Sequence, residues 1–242
     1  MTDITQFTET VAFADRQKPY RNIHKALRAT MTKTLMTVSQ ADPYEEAERL
    51  AAAAAVDDLL HACAAHLNHE MTFIHPVLRE RKVEVVGAFD DDHGSQEGVM
   101  SRLRGLSAAV RKATPVSARE ILYQLYLELS AFIGHNFEHM AEEESVLTHA
   151  VWQKLSDQEI LEIEGRIVAS LPPQEAAWSV EWMAKSLNHA ELLEVLQGMK
   201  AAMPPQVFAG ILALVKGCVK PASLARLDRD LGLAEAEPRL VA

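Results

Sequence analysis

A chain of 242 residues with 48% apolar content can bury a real core, in one large domain or in one domain with an appendage. Its formal net charge of −10, with no basic stripe interleaved with aromatics, argues against a phosphate-binding surface, so nucleic acid is not an expected partner. The longest unbroken apolar run, near 207–215, is nine residues, well short of a membrane span, and the start Met1–Phe7 has neither the basic nor the apolar part of a signal peptide. Cys63 and Cys218 stand far apart in apolar contexts, which fits two buried thiols in a reducing cytoplasm, a disulfide being left open. Neither makes a metal site by itself.

Everything strongly periodic is helical. Ile23, Leu27, Met31, Leu35 and Val38 recur at steps of three or four, with His24 beside that stripe. Asp42-Pro43-Tyr44-Glu45 reads as the start of a second helix, with Asp42 as cap and Pro43 in the first turn. The alanine run 51–55 propagates it through Leu59 and Leu60. Pro76 should kink or end it by removing the backbone donor to Thr72. Lys82–Ala88 reads as a connector with one extended stretch at most. Asp90-Asp91-Asp92 reads as the cap of a third helix, with His93 in its first turns and Met100, Leu103, Leu106 and Val110 on one stripe. Thr114-Pro115 and the box Ser117-Ala118-Arg119-Glu120 open a fourth, running through Leu122, Leu125, Leu129 and Phe132 to about Trp152. Short connections between four helices make an antiparallel four-helix bundle the default architecture. Beyond it, Ser156–Glu159 is a capping box, Pro172-Pro173 a break, Asn188 a cap, and Pro204-Pro205 and Pro221 further helix starts. We expect an all-α chain: a bundle over 18–153 and a C-terminal helical extension over 156–235, with a loose tail over 234–242.

The chemistry lies in a doubled device. His66 with Glu70 and His139 with Glu143 are each a histidine followed four positions later by a glutamate, which puts both side chains on one helix face. The copies are 73 positions apart, and a lone histidine precedes each, His24 and His93, themselves 69 apart. On four helices of a bundle these six groups can point at one level of the core. A buried glutamate is costly unless paired or coordinated. Two of them facing four imidazoles call for a pair of cations, with the carboxylates free to bridge. Mixed imidazole and carboxylate ligation suits iron, manganese or zinc, and bridging carboxylates with nitrogen-rich ends favour two iron ions. Taken singly, each piece has a plainer reading: a lone His24 or His93 is usually hydrogen-bonded or at the surface, and Glu142 and Glu144 read as a solvated face. Repetition at matching spacing is what favours the six as a set.

The run His66-Leu67-Asn68-His69-Glu70-Met71-Thr72-Phe73-Ile74-His75-Pro76-Val77-Leu78 resembles the repeated signature of the hemerythrin-like proteins of the HHE cation-binding type. The second copy, His139 to Leu147, keeps the spacing but has His149 where the first has Pro76. The resemblance covers roughly 18–153 and leaves the region after 155 unexplained. It implies a hemerythrin-like four-helix bundle with a non-heme di-iron centre held by His24, His66, Glu70, His93, His139 and Glu143, the glutamates bridging. His135, one turn before His139, is an optional extra ligand or a group that hydrogen-bonds one. Tyr20 and Tyr126 are candidate donors near the site, though buried bundle tyrosines are the plainer reading. Of the other histidines, His69 is rotated off the His66 face, His75 can approach the site mouth, His189 reads as structural, and His61 and His149 complete the ten. Phe73, Ile74, Phe132 and Leu147 lie near the ligand turns and can form an apolar pocket, which favours reversible ligand binding.

Such a family resemblance implies binding or sensing of oxygen, nitric oxide or iron and redox state, with a small diatomic as the partner. An enzyme acting on peroxide, nitric oxide or ferrous iron is the alternative, and a helical interaction protein with a structural metal is the third reading. The apolar C-terminal helices leave a homodimer open.

Overall fold

Every regular element among the described residues is helical. The computed structural model describes residues 4–233, apart from the side chains of Ile4, Phe7 and Phe13; the tail expected over 234–242 lies outside the described residues. Two compact units are present, one up to Leu171 and the other from Pro172.

The first unit is the four-helix bundle. Its walls are α2 (Arg21–Gln40), α3 (Glu46–His69), α5 (Val86–Lys112) and α6 (Pro115–Glu142), numbered after a helix α1 (Ile4–Phe13) that the sequence pattern did not announce. Each wall packs on its neighbours in sequence, and α2 on α6. The predicted stripes face inward: Leu27, Met31 and Val38 on α2, Val56, Leu59 and Leu60 on α3, Leu103 and Val110 on α5, Leu125 and Leu129 on α6. Each such side chain contributes about 1.5–3 kcal/mol on full burial. By length and composition alone 46–80 could cross a membrane; in the fold it is a wall of the bundle core.

Several helix starts differ from expectation. Asp42 does not cap α3. It accepts from Tyr44 N–H at 2.8 Å in a local turn, Arg49 donates to Pro43 O at 2.7 Å, and the helix begins at Glu46. No extended stretch forms at 82–88. Lys82 adopts φ 58 and closes the short helix His75–Glu80, with Val83 N–H bonding Leu78 O at 2.9 Å. α5 then starts at Val86, so Asp90, Asp91 and Asp92 fall inside the helix and cap nothing. Thr114, not Ser117, caps α6, accepting from Ser117 N–H with Pro115 in the first turn.

Pro76 does not stop its helix. A five-residue π-turn, Glu70–Ile74, comes first, and α4 (His75–Glu80) then resumes with Pro76 in its first turn, where no N–H is needed. The fourth wall does the same: a π-turn at Glu143–Leu147 leads into α7 (Thr148–Lys154). Both begin at the glutamate of a His-x-x-x-Glu pair, and π-turns of this kind concentrate at functional sites. Beyond them Tyr20, Ile74, Leu78, Phe89, Leu147, Val151 and, from α8 (Asp157–Ser170), Ile160 and Ile163 form a second apolar cluster. The Ser156–Glu159 capping box opens α8 as expected.

The second unit comprises α9 (Pro173–Ser186), α10 (His189–Ala202), α11 (Pro205–Cys218) and α12 (Pro221–Asp230). Asn188 and Glu191 form its capping box, and Gly232, at φ 65, ends it. Val180, Leu196, Phe208, Val215 and Leu227 make its core. Both cysteines are free thiols. Cys63 is buried in the bundle, which pushes its thiol up to about 12, and Cys218 is half-buried in this unit.

Candidate metal centre

His24 and His93 sit in the first half of α2 and α5, His66 and His139 near the ends of α3 and α6, and all four meet at one level, so successive walls run antiparallel. The imidazoles form two pairs. His24 and His66 bring their Nε2 atoms within 3.1 Å, and His93 and His139 do likewise at 3.1 Å. The glutamates lie between the pairs with one oxygen toward each. Glu70 Oε1 is 3.1 Å from His66 Nε2 and 4.0 Å from His24 Nε2, while its Oε2 is 3.5 Å from His93 Nε2. Glu143 Oε2 is 3.4 Å from His24 Nε2, and its Oε1 is 3.2 Å from His139 Nε2 and 3.8 Å from His93 Nε2. The six residues singled out by spacing are thus brought together as two nitrogen-rich ends with two carboxylates spanning them.

The surroundings prepare these groups. Glu144 Oε1 faces His24 Nδ1 at 3.1 Å and is itself held by Arg28 at 2.6 Å. Asp92 Oδ2 faces His139 Nδ1 at 2.8 Å. A carboxylate at Nδ1 assigns the proton there and leaves the Nε2 lone pair pointing inward, the arrangement that orients metal-binding histidines. Asp92's other oxygen takes His135 Nε2 at 2.8 Å, and His135 is 47% exposed. His135 therefore stands outside the cluster and steadies the aspartate behind His139. Glu144 is no mere solvated face, and Asp90 and Asp92, expected as helix caps, are the carboxylates behind histidines.

Sequence reasoning undervalued His75. It is fully buried, its Nδ1 is 2.7 Å from Asp90 Oδ1, and Arg79 holds Asp90's other oxygen at 2.6 Å. One ligand atom each from Glu70, His75, His93 and Glu143 lies within 4.8 Å of the others, as does a second group from His24, His66, Glu70 and Glu143. Tyr20 stacks on His24 with ring centroids 5.2 Å apart, and its buried hydroxyl has no hydrogen-bond partner. Of the expected pocket, Ile74 and Leu147 are buried in the cluster beyond the site, with Phe73 half-buried against it. Phe132 is buried in the bundle two turns before His139. Tyr126 lies far from the site, in a groove with Val38 and Tyr123. His69 leans on Phe73, His149 pairs with Gln153, and His189 pairs with Asp230 in the second unit.

The electrostatics describe a site short of positive charge. All four oxygens of Glu70 and Glu143 are buried without a hydrogen bond. Burial, and next the charge of Glu143, holds the Glu70 carboxyl well above its ordinary range. Burial also acts to raise Glu143, but its contacts with His139 and His93 outweigh that and hold it well below. Burial, reinforced by His24, keeps His66 neutral to well below the usual histidine range. A buried carboxylate costs several kcal/mol unless compensated. Four imidazole nitrogens and four carboxylate oxygens converging in a dry interior fit metal binding.

A four-helix bundle whose core holds a doubled His/Glu cluster belongs to the class of helical metal-binding domains. The model of one such family, the hemerythrin HHE cation binding domain, matches residues 18–151, more than half of the chain, and the chain belongs to this family. No significant match is found among curated proteins or among solved structures.

Proposed function

We propose that this protein holds two iron ions between His24, His66, Glu70, His93, His139 and Glu143, and uses them to bind or sense oxygen, nitric oxide or iron and redox state. The observation that carries the reading is the set of four buried, unpartnered carboxylate oxygens shared between two imidazole pairs. Manganese and zinc suit the same donors, and iron is preferred for its mixed nitrogen and oxygen environment. Bound iron would supply a redox-active Lewis acid with affinity for small diatomics.

The protein's own part is orientation and exclusion of water. Glu144 and Asp92 fix two imidazoles with their lone pairs inward, Arg28 anchors Glu144, and the apolar cluster of Ile74, Leu147 and Phe89 keeps the site dry. The reading takes a small diatomic as partner and a reducing cytoplasm as setting, in keeping with two free thiols.

The test is metal analysis of protein purified with and without air, followed by absorption spectra before and after oxygen and azide. Two iron ions per chain and a spectrum that responds to either reagent are expected. Absence of metal in both preparations would overturn the reading, and a metal whose spectrum ignores both reagents would reduce it to a structural site.

A further inference from the structure

Three of the four tyrosines stand together, away from the metal centre. Tyr44, in the loop between α2 and α3, and Tyr123 and Tyr126 of α6 line a groove of about 600 Å³ whose buried base is Val38 and Leu122. Val38 lies fourteen residues beyond His24 on α2, which puts the groove roughly 21 Å along the bundle from the histidine cluster. The rings are left in water: Tyr44 is 63% and Tyr123 58% exposed. Exposed aromatic rings gathered on one patch, with an arginine among them, are the composition of a recognition surface and not of an ordinary solvated helix face.

The loop that carries Tyr44 is held in place. Asp42 N–H donates to Glu48 Oε2 at 2.8 Å, Tyr44 N–H donates to Asp42 Oδ1 at 2.8 Å, and the buried Arg49 donates to Pro43 O at 2.7 Å. These bonds also turn the carboxylates of Asp42 and Glu48 onto backbone. No acid lines the groove, although the chain has 34, and its single charged lining residue is Arg119. Arg119, Tyr123 and Tyr126 follow one another at steps of four and three, so they share one face of α6. Among the described residues Arg119 forms no ion pair or hydrogen bond, and neither do the three phenol hydroxyls. A phosphate site would gather several cations or open helix-start amides. Here one cation stands alone, and Thr114 already takes the Ser117 amide at the start of α6.

We propose that this groove is a binding site for a small aromatic carboxylate. The guanidinium fork of Arg119 donates two parallel hydrogen bonds to the carboxylate, and the ligand's ring packs among the tyrosine rings over Val38 and Leu122. A groove of about 600 Å³ is within the ordinary size of small-molecule sites. The site is separate from the metal centre and does not rest on what that centre holds.

The test uses the full chain with ring-labelled tyrosine, its four signals assigned by single Tyr→Phe changes and followed by NMR. Naphthoate should shift the Tyr44, Tyr123 and Tyr126 signals along one saturable curve, with a dissociation constant of about 1 mM or below. Tyr20, stacked on His24, should stay in place. Naphthylmethanol, the ring without the charge, and acetate, the charge without the ring, should each bind at least about 10-fold more weakly. Arg119→Gln should weaken naphthoate binding by roughly 10- to 100-fold, while Arg102→Gln, at another exposed arginine, should leave it unchanged. Both variants should keep the native circular dichroism, so that a lost affinity is not a lost fold. Equal shifts with acetate and naphthoate would mean an adventitious ion only and overturn the proposal. So would an unchanged affinity in Arg119→Gln, no saturable shift at all, or a shift confined to Tyr20, which puts the carboxylate at the metal centre. Movement of the three groove signals on dilution, with no probe added, would make the groove a face between copies of the chain and overturn it as well.

Discussion

In the bundle unit His24, Glu70, His75, His93, His139 and Glu143 are all buried together, at 6% exposure or less. In the unit from Pro172, the core of Val180, Leu196, Phe208, Val215 and Leu227 contains no buried polar or charged side chain among the described residues. The second unit can be accounted for by apolar packing, helix caps and a few surface pairs such as His189 with Asp230. The first cannot. It spends stability on desolvating two carboxyl groups whose four oxygens are buried without a hydrogen bond. A fold that carries such a deficit in one unit and none in the other is built to have that deficit met by something bound.

The largest effect that would sharpen this contrast is metal loading. Ferrous iron at a thousandfold excess over its dissociation constant should stabilise the bundle by about 4 kcal/mol per site. Hydrogen exchange should show slower exchange in α2, α3, α5 and α6 and no change in α9 to α12. Equal slowing in both units would break the comparison. Next comes Leu196→Ala, which opens a cavity at a 1% exposed position and should cost about 2–5 kcal/mol, read as faster exchange in the second unit, with iron stoichiometry unaltered.

A smaller and opposite change is expected from Glu70→Gln. Removing a buried carboxylate should make the metal-free protein more stable by about 1–3 kcal/mol in thermal unfolding, while iron uptake falls below two per chain. A metal-free variant less stable than the native chain would show that the carboxylate is satisfied after all. The smallest effect concerns α8. Glu159 is held below its ordinary value of 4.5 by hydrogen bonds from the Ser156 backbone and hydroxyl, then by Arg81. A depressed folded value means its contribution is present above pH 4.5 and lost as pH falls through the folded value. α8 should therefore fray in that acid window, by circular dichroism, and Glu159→Gln should flatten the pH dependence. Ser156→Ala, which removes the cap itself, should cost about 1 kcal/mol at neutral pH.

The walls of the bundle and the six convergent side chains were legible in the sequence because both depend on short-range spacing: stripes such as Leu27, Met31 and Val38, and the four-residue step from His66 to Glu70. What escaped depends on partners far along the chain. Asp90 and Asp92 look like caps because Asp before a helical stripe is ordinary capping chemistry, yet their partners are His75 on α4 and His135 and His139 on α6. The π-turns have no compositional mark beyond Pro76 in the first copy, and without them His75 counts onto the wrong face. α1 has no capping box and no proline to announce it, and it lies against the second π-turn, a tertiary contact that local pattern cannot report.

The two cysteines offer an experimental handle that follows from burial alone. Cys63 is 2% exposed with its thiol raised to about 12, so a maleimide probe at neutral pH has little thiolate to find there. Cys218 is half-buried in the other unit. A fluorophore or spin label added to the native chain should therefore attach at Cys218, giving a reporter on the C-terminal helices without mutagenesis, against which events at the metal centre can be timed.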